Sequence, residues 1–564
     1  MKALRKRERG KPEGLRGSVE GKEALKPPEP SKGSKSLKEP LKKPFLSPFK
    51  KEEPAPPGPV ALLSKLPEDA EAVETYPVQP PFSRVTIASL PELGGARAYF
   101  IEEVQLSPQE QLVFRKLMDM LSVEIEPPEK GVDLNEYVES EAERLAKKYG
   151  LIKQIRRLGE DSWSKIVYYL QRDLIGFGPL HVIMSDRMIE DISVNGVNIP
   201  IYVWHRKYES LPTNLRIVDE ATLDNLLIKL THLAQKHIST AFPLLDAMLP
   251  TKDRLAATFR REVSPRGSTF CIRRFREQPF SIVELIELGT ISETLAAYFW
   301  LLIENRMTIA VIGGTGAGKT STLNALASLV KPSMKIVTVE EIPELLLPHE
   351  NWVQLVSRPS YGLGMAKIGE ISLFELVKLS LRYRPDYIVV GEIRGEEAFV
   401  LFQAMATGHG GLTTLHAESV DHAVKRLTSP PMNIAESYIP LINVMIMQER
   451  VQLPKPRAGL TFGRRIREVY EVLDYGRYER IAAWNPLNDT FVTDLRRSEM
   501  LRRIALRHGV DFELVLEELA KRALLFRDLL TRGVKSNEEV RREIMRYYLL
   551  NPFPAVALEK KVEV

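Results

Sequence analysis

The chain has 564 residues, 44% hydrophobic and 27% charged, which is the balance of a soluble globular protein of about two to four domains. Its single cysteine, Cys271, excludes an internal disulfide framework and a cysteine-rich zinc site and makes a reducing compartment the default. No apolar run approaches the roughly 18 residues of a membrane span, and the net charge of +5 is uneven: residues 1–51 hold 12 Lys and 4 Arg against 6 Glu, which leaves −5 for the rest.

Residues 1–70 are rich in Lys, Pro, Ser and Gly. Such a segment buries too little apolar surface to offset its ordering entropy, so a disordered basic tail is expected. It is either a solubilising spacer or an arm for anionic lipid or an acidic partner. The basic start lacks a following apolar stretch and does not read as a signal peptide.

Order is expected from about Tyr76. Residues 71–160 read as a helical docking region. There "SPQEQLVF" places Ser107 as N-cap, Pro108 at the first helical position and Glu110 as the closing half of a capping box. A second helix fits Leu134–Tyr149 before Gly150, and a third Ser162–Ile175. An α+β domain is expected over 161–278. Its "EDISVNG" and "PIYVWH" strands meet through a turn. A helix follows near Asp219–Gln235, then two strands around Pro265-Arg266-Gly267. A linker is placed at 279–293. From 294 to 490 helices and strands alternate, which is α/β logic, and 491–564 turns helical and highly charged. Two short apolar runs, Leu295–Ile303 and Tyr438–Met447, read as core helices.

"TIAVIGGTGAGKTSTLNAL" is the strongest local signal. An apolar strand runs into Gly313, Gly314, Thr315, Gly316, Ala317, Gly318, Lys319 and Thr320, and Ser321 continues into a helix. This is a phosphate loop: glycines let backbone N–H groups wrap a phosphate, and the helix start presents its positive end. Lys319 is expected at the β- and γ-phosphates and Thr320 on Mg²⁺. Such a fold needs a second acid on a neighbouring strand end. Glu392, at the end of "YIVVGE" and 73 residues beyond Lys319, fits, with Mg²⁺ as its partner. Glu340, Glu341 and Glu344 crowd another strand end, where a cation or a water-activating role would absorb their repulsion. His409 and His416 lie among glycines and threonines. They read as metal ligands without a third member, as satisfied core histidines, or, more consistently, as a γ-phosphate sensor.

Four boxes together, "GGTGAGKT", "VEEIPE", "IVVGEIRG" and "TGHGGLTTLHA", resemble the secretion ATPases of the type II secretion, type IV pilus and archaellum superfamily. The resemblance runs over roughly Asp161–Arg450. It implies an α+β N-terminal domain linked to a RecA-like P-loop NTPase domain, a homo-hexameric ring, and ATP with Mg²⁺ as cofactors. It further implies Glu341 or Glu344 as the water-activating base, Glu392 supporting Mg²⁺, and His416 sensing the γ-phosphate. Arg254, Arg273 and Arg274 are carried over as completing arginines, with Arg260, Arg261 and Arg266 chemically equivalent neighbours. Implied partners are a polytopic membrane platform protein and filament or secretion subunits, at the cytoplasmic face of the membrane, with no nucleic acid. The acidic box departs from the bacterial Glu-Asp-Pro-x-Glu form, and the bacterial zinc module is missing, which looks more like the archaeal branch. Pilus or secretion assembly and archaellum rotation both remain open. A retraction motor, a nucleic-acid motor and a nucleotide-gated scaffold are the rivals.

Overall fold

A computed structural model describes residues 60–62, 66, 70–89, 97–129, 131–276, 278–358, 369–457, 460–551 and 553. The expected tail therefore lies almost wholly outside the described residues. The exceptions are residues 66 and 70 and a short strand, β1 (Val60–Leu62), paired antiparallel with Leu215–Ile217.

The region expected to be helical opens instead with strands β2 (Glu71–Gln79), β3 (Ser83–Ser89) and β4 (Ala98–Glu103). Val85, Ile87, Tyr99 and Ile101 enter the main core of the small domain, so tertiary burial decides segments whose local pattern is mixed. Then come α1 (Pro108–Glu124), α2 (Leu134–Lys148), α3 (Ile152–Leu158) and α4 (Ser162–Leu174). Ser107 and Glu110 form the capping box as expected. These four helices share a core of their own around Leu117, Leu121, Leu145 and Ile166.

A short α5 (His181–Ser185) leads into β5 (Ile189–Val194), β6 (Pro200–His205) and β7 (Glu209–Ile217). Then follow α6 (Glu220–Leu233), β8 (Leu244–Met248), β9 (Arg254–Thr258) and β10 (Thr269–Arg273). The sheet order is β2-β3-β4-β7-β6-β5-β10-β9-β8. Leu223, Leu227 and Leu230 of α6 pack on it.

The span expected as a linker, 279–293, holds the short helix α7 (Ile282–Glu287), whose Ile282, Val283, Leu285 and Ile286 are buried in one core with α8 (Glu293–Glu304); β11 (Ile309–Ile312), α9 (Lys319–Ala327), β12 (Ile336–Glu340) and β13 (Trp352–Val356) follow. Next are α10 (Leu373–Ser380), β14 (Tyr387–Val390), α11 (Glu397–Ala406), β15 (Gly410–Leu415) and α12 (Val420–Thr428). The sheet closes with β16 (Val444–Arg457), β17 (Leu460–Asp474), β18 (Arg477–Asn485) and β19 (Thr490–Thr493). Its order is β13-β12-β14-β15-β11-β16-β17-β18-β19. The strands are parallel from β13 to β16 and antiparallel from there on. The inner parallel strands β11, β12 and β14 are buried throughout, which is why they read as largely apolar runs, whereas β13 at the edge is half-exposed.

α8 carries the first short apolar run and is buried all round. The second run corrects the expectation of a helix: it is a 3₁₀ turn (Glu436–Leu441) followed by the start of β16. A short apolar run does not distinguish strand from buried helix. Here the vacancy beside β11 decides, with the Asn443 side chain accepting the Thr308 N–H at 2.8 Å.

The closing helices α13 (Glu499–His508), α14 (Phe512–Thr531) and α15 (Asn537–Leu550) join the core of α8. Arg522, fully buried, donates to Glu304 at 2.5 Å and Glu518 at 2.8 Å beneath the Trp300 ring.

Candidate active site

β11 ends at the loop 313–318, and α9 starts at Lys319. Gly316 and Gly318 take φ of +72° and +90°, a region only glycine enters cheaply. A Cβ on Gly313 would stand 2.2 Å from the Gln448 carbonyl, so β16 seats the loop from beneath. Thr315, Gly316, Gly318, Lys319, Thr320 and Ser321 line a cleft of about 560 Å³ between the two sheets. Gly313, Gly314 and Ala317 belong to the loop but not to the cleft wall, and Ala317 is buried. Lys319 is nearly buried and donates to the Gly314 carbonyl at 2.8 Å. Burial pushes its ammonium pKa down, against the pull of Glu392.

Glu392, Glu344 and Glu341 line the same cleft from the strand ends. Oε2 of Glu392 accepts from Arg394 at 2.7 Å, while Oε1 is buried with no hydrogen-bond partner. Burial works to raise this carboxyl, but Arg394, with His416 and Lys319, holds it below the ordinary glutamate value. The partner expected for Glu392 was a metal. The protein itself supplies Arg394 for one oxygen and nothing for the other.

The acidic box divides by environment. Glu340 is buried and clamps its own loop, accepting from the N–H groups of Glu344 and Leu345, each at 2.9 Å, and from Gln354 at 3.0 Å. Burial raises its pKa to about 7. Glu341 is half exposed and pairs loosely with Arg394 at 3.5 Å. Glu344 is half-buried; burial raises its carboxyl, opposed by Arg254 and by a hydrogen bond from Thr320. Of the two candidates for a base, Glu344 is the more buried and the one beside Thr320, with Arg254 and Arg273 both acting on it, while the charge of Glu341 also reaches Arg254.

His416 follows β15 and lies 3.4 Å from the Thr315 hydroxyl. Burial, with the charge of Lys319, lowers its pKa below the ordinary histidine value. His409 lies at the other end of the same strand, on the Ala404 carbonyl and the Thr407 hydroxyl, each at 3.0 Å. The pair is therefore not one site.

Arg254, Arg273 and Arg274 all line the cleft from the small domain. Arg254 is forked on Asp246 (3.0 and 2.5 Å) and Arg273 on Asp191 at 3.0 Å, and both feel the charge of Glu344. Arg274 is turned inward onto the Asp186 carbonyl. Arg260 and Arg261, their chemical equals, face α6 instead, on Asp224 at 2.8 Å and Glu220 at 3.1 Å. The sequence reading missed Arg206, Arg276, Arg394 and Arg464, which complete the wall. Arg394 stood in plain view inside "EIRG". The other three carry no local signal.

Among the described residues, no group of three or more His, Cys, Asp or Glu is arranged to hold a metal ion by itself. A Mg²⁺ bound here would take most ligands from phosphate and water, as Mg²⁺ commonly does. The Thr320 hydroxyl and the unpartnered Glu392 Oε1 are oxygens of the right kind for the rest, so the residues fit the ion.

The profile of the family described as "Type II/IV secretion system protein" matches residues 174–458. An uncharacterized protein of Methanocaldococcus jannaschii is 36% identical over 389 residues, which is 68% of this chain and 70% of that one. The type IV secretion system protein PtlH of Bordetella pertussis is 31% identical over 265 residues, 42% of this chain and 76% of that one. A putative conjugal transfer protein of Mycobacterium tuberculosis is 34% identical over 278 residues, 48% of this chain and 77% of that one. Among solved structures, the Legionella pneumophila ATPase DotB is 18% identical with a TM-score of 0.37, covering 64% of this chain and 92% of that one. The chain belongs to the type II/IV secretion system protein family.

Proposed function

We propose that the protein is a Mg²⁺-dependent ATP hydrolase that works as a homo-hexameric ring. It would drive assembly of a pilus-like filament or secretion through a polytopic membrane platform protein, with archaellum assembly and rotation as the neighbouring role. The observation that carries this reading is the meeting, in one cleft, of a phosphate loop, the Glu344–Thr320 pair, Glu392 and arginines of the other domain. Lys319 binds the β- and γ-phosphates, and Thr320 with Glu392 would hold Mg²⁺, which supplies charge neutralisation on the phosphates. Glu344 accepts a proton from the attacking water. Arg254 and Arg273 stabilise charge on the transferred phosphoryl group, and His416 reads the γ-phosphate. Because these groups come from two domains, ATP favours their closure and loss of phosphate releases it.

Among the described residues no helix is long and apolar enough to cross a membrane. Peripheral docking at the cytoplasmic face, with the basic residues 1–51 on anionic lipid, is part of the proposal. The relative named for conjugal transfer makes a nucleic-acid motor the second reading. Steady-state ATP hydrolysis of the purified chain, alone, with anionic vesicles and with single-stranded DNA, separates them, with Lys319→Ala as blank. Stimulation by vesicles but not DNA supports the secretion motor; the reverse puts the nucleic-acid motor first. No Lys319-dependent hydrolysis in any arm sinks both.

A further inference from the structure

Within the β16–β17 hairpin, Arg464 of β17 stands opposite Arg450 of β16 and reaches the phosphate loop. The Arg464 Nε donates to the Gly316 carbonyl at 3.1 Å. A Cβ on Gly318 would stand 2.9 Å from the Arg464 Cδ, so the bare glycine lets this side chain lie close against the loop. From the same guanidinium, Nη2 reaches Glu190 Oε2 at 3.4 Å, on β5 of the small domain. Glu190 also faces Arg206 at 3.9 Å, and its carbonyl accepts the Arg274 N–H at 2.8 Å. One side chain thus touches both the phosphate loop and the strand that seats the small domain's arginine wall.

In a trans peptide the carbonyl and the following N–H point in opposite directions. Fixing the Gly316 carbonyl on Arg464 therefore also fixes the plane of the Gly316–Ala317 peptide, in the middle of the loop that the nucleotide reading makes the phosphate cradle. We propose that Arg464 is a positioning residue that couples the geometry of the phosphate loop to the seating of the small domain, with Glu190 as its counterpart. The proposal rests on the nucleotide reading above. A second ion pair, Arg450 with Glu209, joins the same two domains beside Trp204 and Phe462. It lies outside the residues that line the cleft, so it serves as an internal control.

The test is a double-mutant cycle on the full chain, read as the Kd of a fluorescent ATP analogue with Mg²⁺. Arg464→Gln is expected to weaken binding about tenfold, the loss of one charge-assisted hydrogen bond and its ion pair. Among the described residues the contact that joins Glu190 to the loop is Arg464, so Glu190→Gln is expected to weaken binding about threefold alone and not at all in the Arg464→Gln background. Glu209→Gln is expected to leave Kd within about twofold, because this half-buried pair touches neither the phosphate loop nor the cleft wall. Multiplying effects in the double variant, or wild-type affinity in Arg464→Gln, overturns the proposal. A merely structural role shifts the melting temperature of all three variants while the Kd values stay put, which also overturns it. If the wild-type chain does not bind the analogue at all, the nucleotide reading itself fails and takes this one with it.

Discussion

Replacing Glu344 by Gln tests the chemistry most directly, because two neighbours in the same box provide contrasts. Glu344 is half-buried on Thr320, with Arg254 and Arg273 in its field. Removing a general base typically costs about 10²- to 10⁴-fold in rate, so Glu344→Gln should lower kcat by that range while nucleotide affinity holds. Glu341 is half exposed and stands 3.5 Å from an equally exposed Arg394. An exposed pair of that kind contributes at most about 1 kcal/mol, so Glu341→Gln should cost no more than about fivefold. The assay is steady-state phosphate release alongside analogue binding for both variants at matched ionic strength. Because burial raises the Glu344 carboxyl, the acid limb of the wild-type kcat profile should lie above the ordinary glutamate pKa of about 4.3, and Glu344→Gln should remove it. Turnover of Glu344→Gln within about threefold of wild type, or equal losses in the two variants, would refute the assignment, since a general base is worth far more.

Arg522→Met leaves Glu304 and Glu518 buried without their cation; the loss should be about 3–5 kcal/mol, seen as a lower urea midpoint, and under 1 kcal/mol would contradict the buried-pair argument. Arg254→Ala and Arg273→Ala should each lower kcat about 10²-fold, whereas Arg260→Ala, which faces Asp224, should leave it alone; equal effects would remove the distinction. Glu340 has its folded pKa raised to about 7 by burial. The folded chain therefore keeps a proton that the unfolded chain loses at the ordinary glutamate value, so this contribution to stability is complete below that value and is lost as pH rises through about 7. Urea midpoints across that window should fall with pH in the wild type and flatten in Glu340→Gln.

Much of the architecture was legible because its causes are local. A capping box is written in Ser107 and Glu110, four positions of chain that need no distant partner. The phosphate loop is likewise a strand end, glycines with positive φ and a helix start in direct succession. Doubly buried parallel strands announce themselves as continuous apolar runs, so Glu392 and the acidic box could be placed at strand ends from the order of residues alone.

What the local pattern left open is what depends on which surfaces meet. Arg254 and Arg260 have the same chemistry six positions apart, yet one faces the cleft and the other faces α6, because β9 separates them, Arg254 at its start and Arg260 in the turn beyond its end. Glu341 and Glu344 differ through their neighbours: an exposed arginine for one, Thr320 and burial for the other. Residues Val444–Met447 are a strand because the edge of β11 is free to receive them, and β2–β4 are strands because a sheet and its core lie beside them. Arg464 is the clearest case. Nothing near it in the chain marks it, and it reaches the phosphate loop only through a hairpin whose register is set by long-range pairing. The sequence by itself determined which chemistry the chain can carry, because loop, cap and strand-end signals act over a few residues. The tertiary structure decided which copies of that chemistry share one cleft, because burial and ion pairing act between residues far apart in the chain.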